Sequence, residues 1–340
     1  MRRLVAALTV ALTCSLPIAA HAGPGEIIDE ALERHILPGF QTLSARADVL
    51  AREAQSDCSP QSLSLRSSYS DAFDAWIVVS HLRFGPTEVE NRGFALAFWP
   101  DPRSKTPKSL GQLIRSQDPV VDDPEEYQTV SVAARGFYAL ERLLYDPKVT
   151  QGDTDYTCTL IVAIARDIAL TSRDLHQDWT RRYAALMGAA GSEGNPYATP
   201  TEVIKALFKA LGTGLQFTSE IRLGRPLGTF DRPRPRRADA RLSRRSLKHV
   251  TLSLAAAKRL AMILAREHPA VAGELATSFD NAGAAADRIE DPVFALVAEV
   301  DGRLRVEVLQ QRIDRIREVV RDSLGPALGV GQGFNALDGD

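Results

Sequence analysis

Tyr138 and Glu141 lie three residues apart, and side chains at that spacing in a helix share a face. Two oxygens on one face suit a hard cation such as Fe(III) if the phenol ionises. That ionisation is costly, since an unperturbed tyrosine titrates near pH ~10. A plainer arrangement is equally open: Phe137, Leu140 and Leu144 form a buried stripe, and Glu141 at its edge pairs with an arginine. His35 stands three residues before Pro38. A proline-induced break can place such a side chain in a cleft as a nitrogen ligand, or leave it as an ordinary hydrogen-bonding histidine. Between residues 225 and 245 lie Arg225, Arg232, Arg234, Arg236, Arg237, Arg241, Arg244 and Arg245. Such density can grip carboxylate or phosphate in bidentate geometry, or form a solvated loop held extended by its prolines. Arg236 and Arg237 are the candidates for contacting an anion or supporting a ligand.

Other chemistries have little footing. No His-Glu-x-x-His, Gly-x-Ser-x-Gly or accompanied Ser-x-x-Lys arrangement occurs, so neither a zincin nor a serine-nucleophile mechanism is supported. We assign no catalytic residue. His81, His176, His249 and His268 show no ligand spacing. The terminal Asp338 and Asp340 offer carboxylates to a cation, although a Gly/Asn/Asp ending more often makes turns.

The elements that must position these residues are helices. Residues 1–22 carry Arg2 and Arg3, an apolar run from Leu4 to Leu16, and Ala20-His21-Ala22. This is the composition of a secretory signal peptide cleaved after Ala22, and its apolar run is too short to span a membrane. We therefore expect a periplasmic or cell-envelope protein with no transmembrane segment in the mature chain. Removing residues 1–22 takes away two arginines and no acid, leaving a net charge of −4, which argues against nucleic acid as a partner. The two remaining cysteines, Cys58 and Cys158, are expected to form one disulfide in an oxidising compartment.

Helical periodicity recurs almost throughout. Pro38 should break or kink the first helix near Leu37. Ser59-Pro60, Thr106-Pro107 and Asp123-Pro124 read as helix starts, the last beginning the helix that carries Tyr138 and Glu141. A long helix is expected over 155–189, a linker over 188–196, and further helices over 199–223, 246–267, 269–289 and 292–324. The last would bury a stripe including Val300 and Leu304. The expected fold is all-α: an N-terminal bundle over 23–195 and a C-terminal bundle over 196–340, forming one unit.

Gly136-Phe137-Tyr138-Ala139-Leu140-Glu141 resembles the Gly-x-His-x-x-Glu signature of the imelysin family of bacterial cell-envelope proteins. His35-Ile36-Leu37-Pro38, the run Arg232 to Arg237 leading into Ser246-Leu247, and Gly333 to Asp340 resemble further segments of it. The resemblance implies a two-domain helical fold, an envelope location, a link to metal and often iron uptake, and a peptidase label. Where the signature has histidine, this chain has Tyr138. The expectation is accordingly a binding protein that holds a divalent or ferric ion, or a small anionic ligand, using His35, Tyr138 and Glu141. A metallopeptidase and an interaction protein with an envelope partner are the alternatives.

Overall fold

The computed structural model describes residues 23–149 and 154–330. Residues 1–22, read as a signal peptide, and the ending Gly333 to Asp340 lie outside them. Among the described residues the chain is helical with no strand, and Thr229 and Arg232 form one isolated bridge. None of these helices is long and apolar enough to cross a membrane.

The helix Leu37–Ser56 packs between Leu63–Val79 and Thr154–Asp178. Phe40, Leu43, Ala47 and Leu50 recur at helical spacing, and all are fully buried. Gly39 permits the approach to the second helix, because a Cβ there would come within 2.5 Å of Val79 Cγ1. Pro38 does not break the chain. Pro24–Ala31 runs through a π-helical turn, Leu32–Ile36, into Leu37–Ser56. The Leu37 N–H donates to the Leu32 carbonyl, and widening the turn in this way accommodates the missing proline donor.

Helices from both sides of residue 195 pack together. Pro24–Ala31 lies against Pro200–Gln216 and Ser246–Leu264, while Leu63–Val79 also meets Ser246–Leu264. Their buried apolar residues form one continuous cluster. Pro269–Ala286 and Val300–Val319 complete the C-terminal part.

Several expected boundaries move. Ser62, not Ser59, caps Leu63–Val79 by accepting from Leu65 N–H. Asp101 accepts from the N–H groups of Lys105 and Thr106, at 2.8 Å each, and so starts the helix Lys105–Ser116. Asp123 caps as expected, but that helix is only Pro124–Tyr127, and the signature residues sit on a separate helix, Gly136–Tyr145. The stretch expected as one helix over 155–189 is helical but includes a π segment, Trp179–Tyr183. Val300 and Leu304 are 80% and 56% exposed; the buried face of their helix is Val306, Leu309, Ile313, Ile316 and Val319.

Cys58 and Cys158 form a disulfide with Cα atoms 5.2 Å apart. It ties the segment after Leu37–Ser56 to Thr154–Asp178.

Candidate functional site: an arginine-lined cleft

The helix Gly136–Tyr145 can begin where it does because its first residue is glycine. Gly136 has φ +72°, and a Cβ there would overlap the backbone carbonyl oxygens of Ala95 and Leu96. The helix is thereby pressed against the segment leading into Trp99. Phe137, Leu140, Leu143 and Leu144 are fully buried, and Phe73 stacks on Phe137 with ring centroids 4.7 Å apart. This packing directs Tyr138 and Glu141 toward the segment 235–246.

Glu141 is buried there and pairs with Ser243, not with an arginine. Its Oε1 accepts from the Ser243 N–H at 2.9 Å and the Ser243 hydroxyl at 2.6 Å. Burial pushes its carboxyl up, while these two hydrogen bonds and the nearby Arg142 and Arg241 oppose the shift. The Tyr138 hydroxyl donates to Asp239 Oδ1, and burial raises its pKa.

Asp239 is the junction of a buried network absent from the expected site. Arg222 pairs with its carboxylate, and His249 Nδ1 lies 3.1 Å from Oδ2, the geometry of a ring N–H donating to the acid. The Ser246 hydroxyl donates to the Asp239 carbonyl. His249 Nε2 faces Asp74 at 4.0 Å, and Arg245 grips both oxygens of Asp74. His249 is held neutral, its pKa well below the usual value, by burial and then by the charge of Arg222. Arg222 reaches this position from the π-helical segment Phe217–Leu223. The network joins the signature helix, the helices Leu63–Val79 and Ser246–Leu264, and the arginine-rich segment.

In front of it opens a cleft of 320 Å³ whose lining includes Tyr138, Glu141, Trp99 and Asp101. Arg142, Arg225, Arg236, Arg237 and Arg241 also line it. Arg142 pairs with Asp146, and Arg225 lies over the Trp99 ring, 5.8 Å from its centroid. Among the described residues, Arg236, Arg237 and Arg241 make no ion pair. Asp101 holds its oxygens on its helix cap, and five guanidinium groups against the carboxyl groups of Asp101 and Glu141 leave the lining predominantly positive.

His35 lies elsewhere. Its Nε2 is 2.9 Å from His81 Nε2 in the core, and burial, followed by the charge of Arg259, lowers its pKa to about 4. Tyr138 and Glu141 thus share one cleft with Arg236 and Arg237, and His35 is not beside them. Among the described residues, no three His, Cys, Asp or Glu side chains are placed to hold a metal ion.

Residues 36–320 match the Imelysin family, peptidase M75. The chain belongs to the imelysin family. The chain is 23% identical over 323 residues to iron-regulated protein A of Synechococcus elongatus, with 87% of this chain and 84% of that protein covered. Its fold is that of an imelysin-like protein from Psychrobacter arcticum, with TM-score 0.76 and 17% identity, covering 92% of this chain and 97% of the other. A protein described as an iron-regulated protein A precursor from Parabacteroides distasonis matches at TM-score 0.74 and 11% identity, covering 89% and 95%. Gly136 and Glu141, which resemble the ends of the family's Gly-x-His-x-x-Glu pattern, flank a tyrosine that is tied to Asp239.

Proposed function

We propose that this member of the imelysin family is an exported cell-envelope protein that binds a small anionic ligand between residues 23–195 and 196–340, in the service of iron handling, without turning over peptides. One observation carries the reading: five arginines open on a single cleft, and four of them, Arg225, Arg236, Arg237 and Arg241, make no ion pair among the described residues. Guanidinium groups so placed recognise carboxylate or phosphate through paired N–H donors. The iron connection is supported by the name of the Synechococcus relative. Export is supported by the leader-like residues 1–22 and the precursor description of the Parabacteroides protein.

The side chains of the cleft suit a bare metal ion poorly. Tyr138 keeps its proton and gives its hydrogen bond to Asp239, and Glu141 is engaged by Ser243. A metallopeptidase needs three protein ligands, an open water position and a general base. The observed donor set does not provide this arrangement. A packed interface with no small-molecule site, the arrangement favouring a purely structural role, is not what the cleft presents.

The test is calorimetric titration of the mature protein with citrate and with phosphate, compared with the Arg236→Ala/Arg237→Ala variant. At least a tenfold loss of affinity in the variant is expected, since each charged hydrogen bond contributes ~1.5–3 kcal/mol. Unchanged binding would sink the cleft assignment. Parallel titrations with Fe(II) and Zn(II), on wild type and Glu141→Ala, decide the other reading. Stoichiometric metal that disappears in Glu141→Ala would make this a metal centre instead.

A further inference from the structure

A second cavity, of 690 Å³, adjoins the arginine-lined cleft. Its walls include Trp76, Phe84, Phe94 and Phe217, and it shares Trp99 and Tyr138 with the cleft. The shared rings lie nearly parallel, 6.1 Å between centroids and 21° apart. Arg225 sits over Trp99, so positive charge stands next to this aromatic partition. Inside the larger cavity, Arg222 is already paired with Asp239, and His81 is neutral because of its burial. Lys209 and Glu220, both exposed, also line it and bring opposite charges. Its volume falls in the ~300–1,000 Å³ range of small-molecule sites, which are mostly apolar with a few placed polar groups. Flat aromatic ligands gain offset-stacked and edge-to-face contacts in such surroundings.

The geometry points to a two-compartment site for an aromatic organic anion: the larger cavity takes the ring system, and the charged group rests on the arginines of the adjoining cleft. The inference rests on the anion-binding reading of that cleft and adds the chemical class of the ligand's other end. A small polycarboxylate would fill only the charged compartment.

The test uses two probes that differ by one charged group, 8-anilinonaphthalene-1-sulfonate and neutral N-phenyl-1-naphthylamine, followed by their fluorescence with the mature protein. The sulfonate should bind at least tenfold more tightly than the neutral amine. Thr213→Trp fills the larger cavity from the helix Pro200–Gln216. The Thr213 hydroxyl bonds only to carbonyls of its own helix, those of Lys209 and Ala210, so its loss leaves no tertiary gap. Ala210→Leu, on the same wall, is the second filling variant. Both should lose the sulfonate at least tenfold while keeping wild-type citrate affinity, far-ultraviolet circular dichroism and a cooperative urea transition. Arg236→Ala/Arg237→Ala should weaken the sulfonate toward the amine and leave the amine unchanged. Equal binding of the two probes, or full sulfonate affinity in both folded filling variants, overturns the two-compartment site. Citrate that fails to bind wild type, with every probe result as expected, overturns the small-anion reading alone and supports the compartment.

Discussion

At the scale of single residues, the site is organised around Asp239, a fully buried carboxylate facing Arg222, Tyr138 and His249. Removing one partner of a buried ion pair leaves an uncompensated charge and typically costs ~3–5 kcal/mol. Asp239→Ala should therefore lower the unfolding free energy by about that amount in urea titration. Tyr138→Phe removes a single hydrogen bond from a carboxylate that keeps two other partners, and should cost about 1–3 kcal/mol. An equal cost for the two substitutions would show that Asp239 is not the junction. The His35–His81 pair gives a pH-dependent expectation. The pKa of His35 in the folded protein, about 4, lies below its usual 6.5. The unfolded chain thus takes up the proton first as pH falls. Stability from this group is complete above pH ~6.5 and is lost on acidification toward pH ~4, by about 3 kcal/mol at ~1.4 kcal/mol per pKa unit. Titration of the His35 ring protons by NMR checks this, and a midpoint near 6.5 would contradict it. Tyr138, Glu141, Arg236 and Arg237 could be singled out in the sequence because their types and spacing advertise chemistry. Asp239 was not legible: an acid between two alanines among arginines looks like a solvated counter-charge. Only the fold shows that Ala238 and Ala240 are buried with it.

At the scale of elements, the sequence was a good guide to helices and a poor one to their ends. Asp123-Pro124 caps a helix as read, yet that helix stops at Tyr127. Ser59-Pro60 has the right types for a start, but Ser62 makes the cap. Local cap chemistry occurs at several nearby positions, and packing selects among them. The same cause moved the buried face of the last long helix: apolar residues occur on more than one of its faces, and packing leaves Val300 and Leu304 outside. Gly136 is the element-level position with no substitute. Alanine there combines an unfavourable backbone conformation, ~1–3 kcal/mol, with a clash against the Ala95 and Leu96 carbonyls. Gly136→Ala is expected to destabilise by about 3 kcal/mol or more and to weaken citrate binding by shifting Arg142 and loosening the Glu141–Ser243 tie that seats the arginine-rich segment. Unchanged chemical denaturation would refute this account of how the signature helix is seated.

At the scale of the whole molecule, the all-helical architecture and the disulfide follow from periodicity and cysteine count. The meeting of residues from before and after position 195 at one cleft depends on long-range packing that neither signal encodes. The disulfide spans 100 residues, a loop for which the chain-entropy account gives ~4.7 kcal/mol. Cys58→Ser/Cys158→Ser should lower the unfolding free energy by about 4–5 kcal/mol, read from the urea midpoint at unchanged slope. A loss under ~1 kcal/mol would mean that the unfolded chain is already restrained. The bridge also divides the molecule topologically. Residues 59–157 form a covalent ring that carries Asp74, Trp99, Tyr138 and Glu141, whereas Arg222, Asp239, Ser243 and Arg245 belong to the open strand that follows it. One wall of the cleft is thus part of a closed loop and the other is not. A peptide cut within the ring would leave both pieces in one oxidised molecule, while a cut between Thr199 and Arg222 would sever the two walls covalently. Their register would then rest on the ion pairs and hydrogen bonds of Asp239 and Asp74 and on the apolar contacts around them.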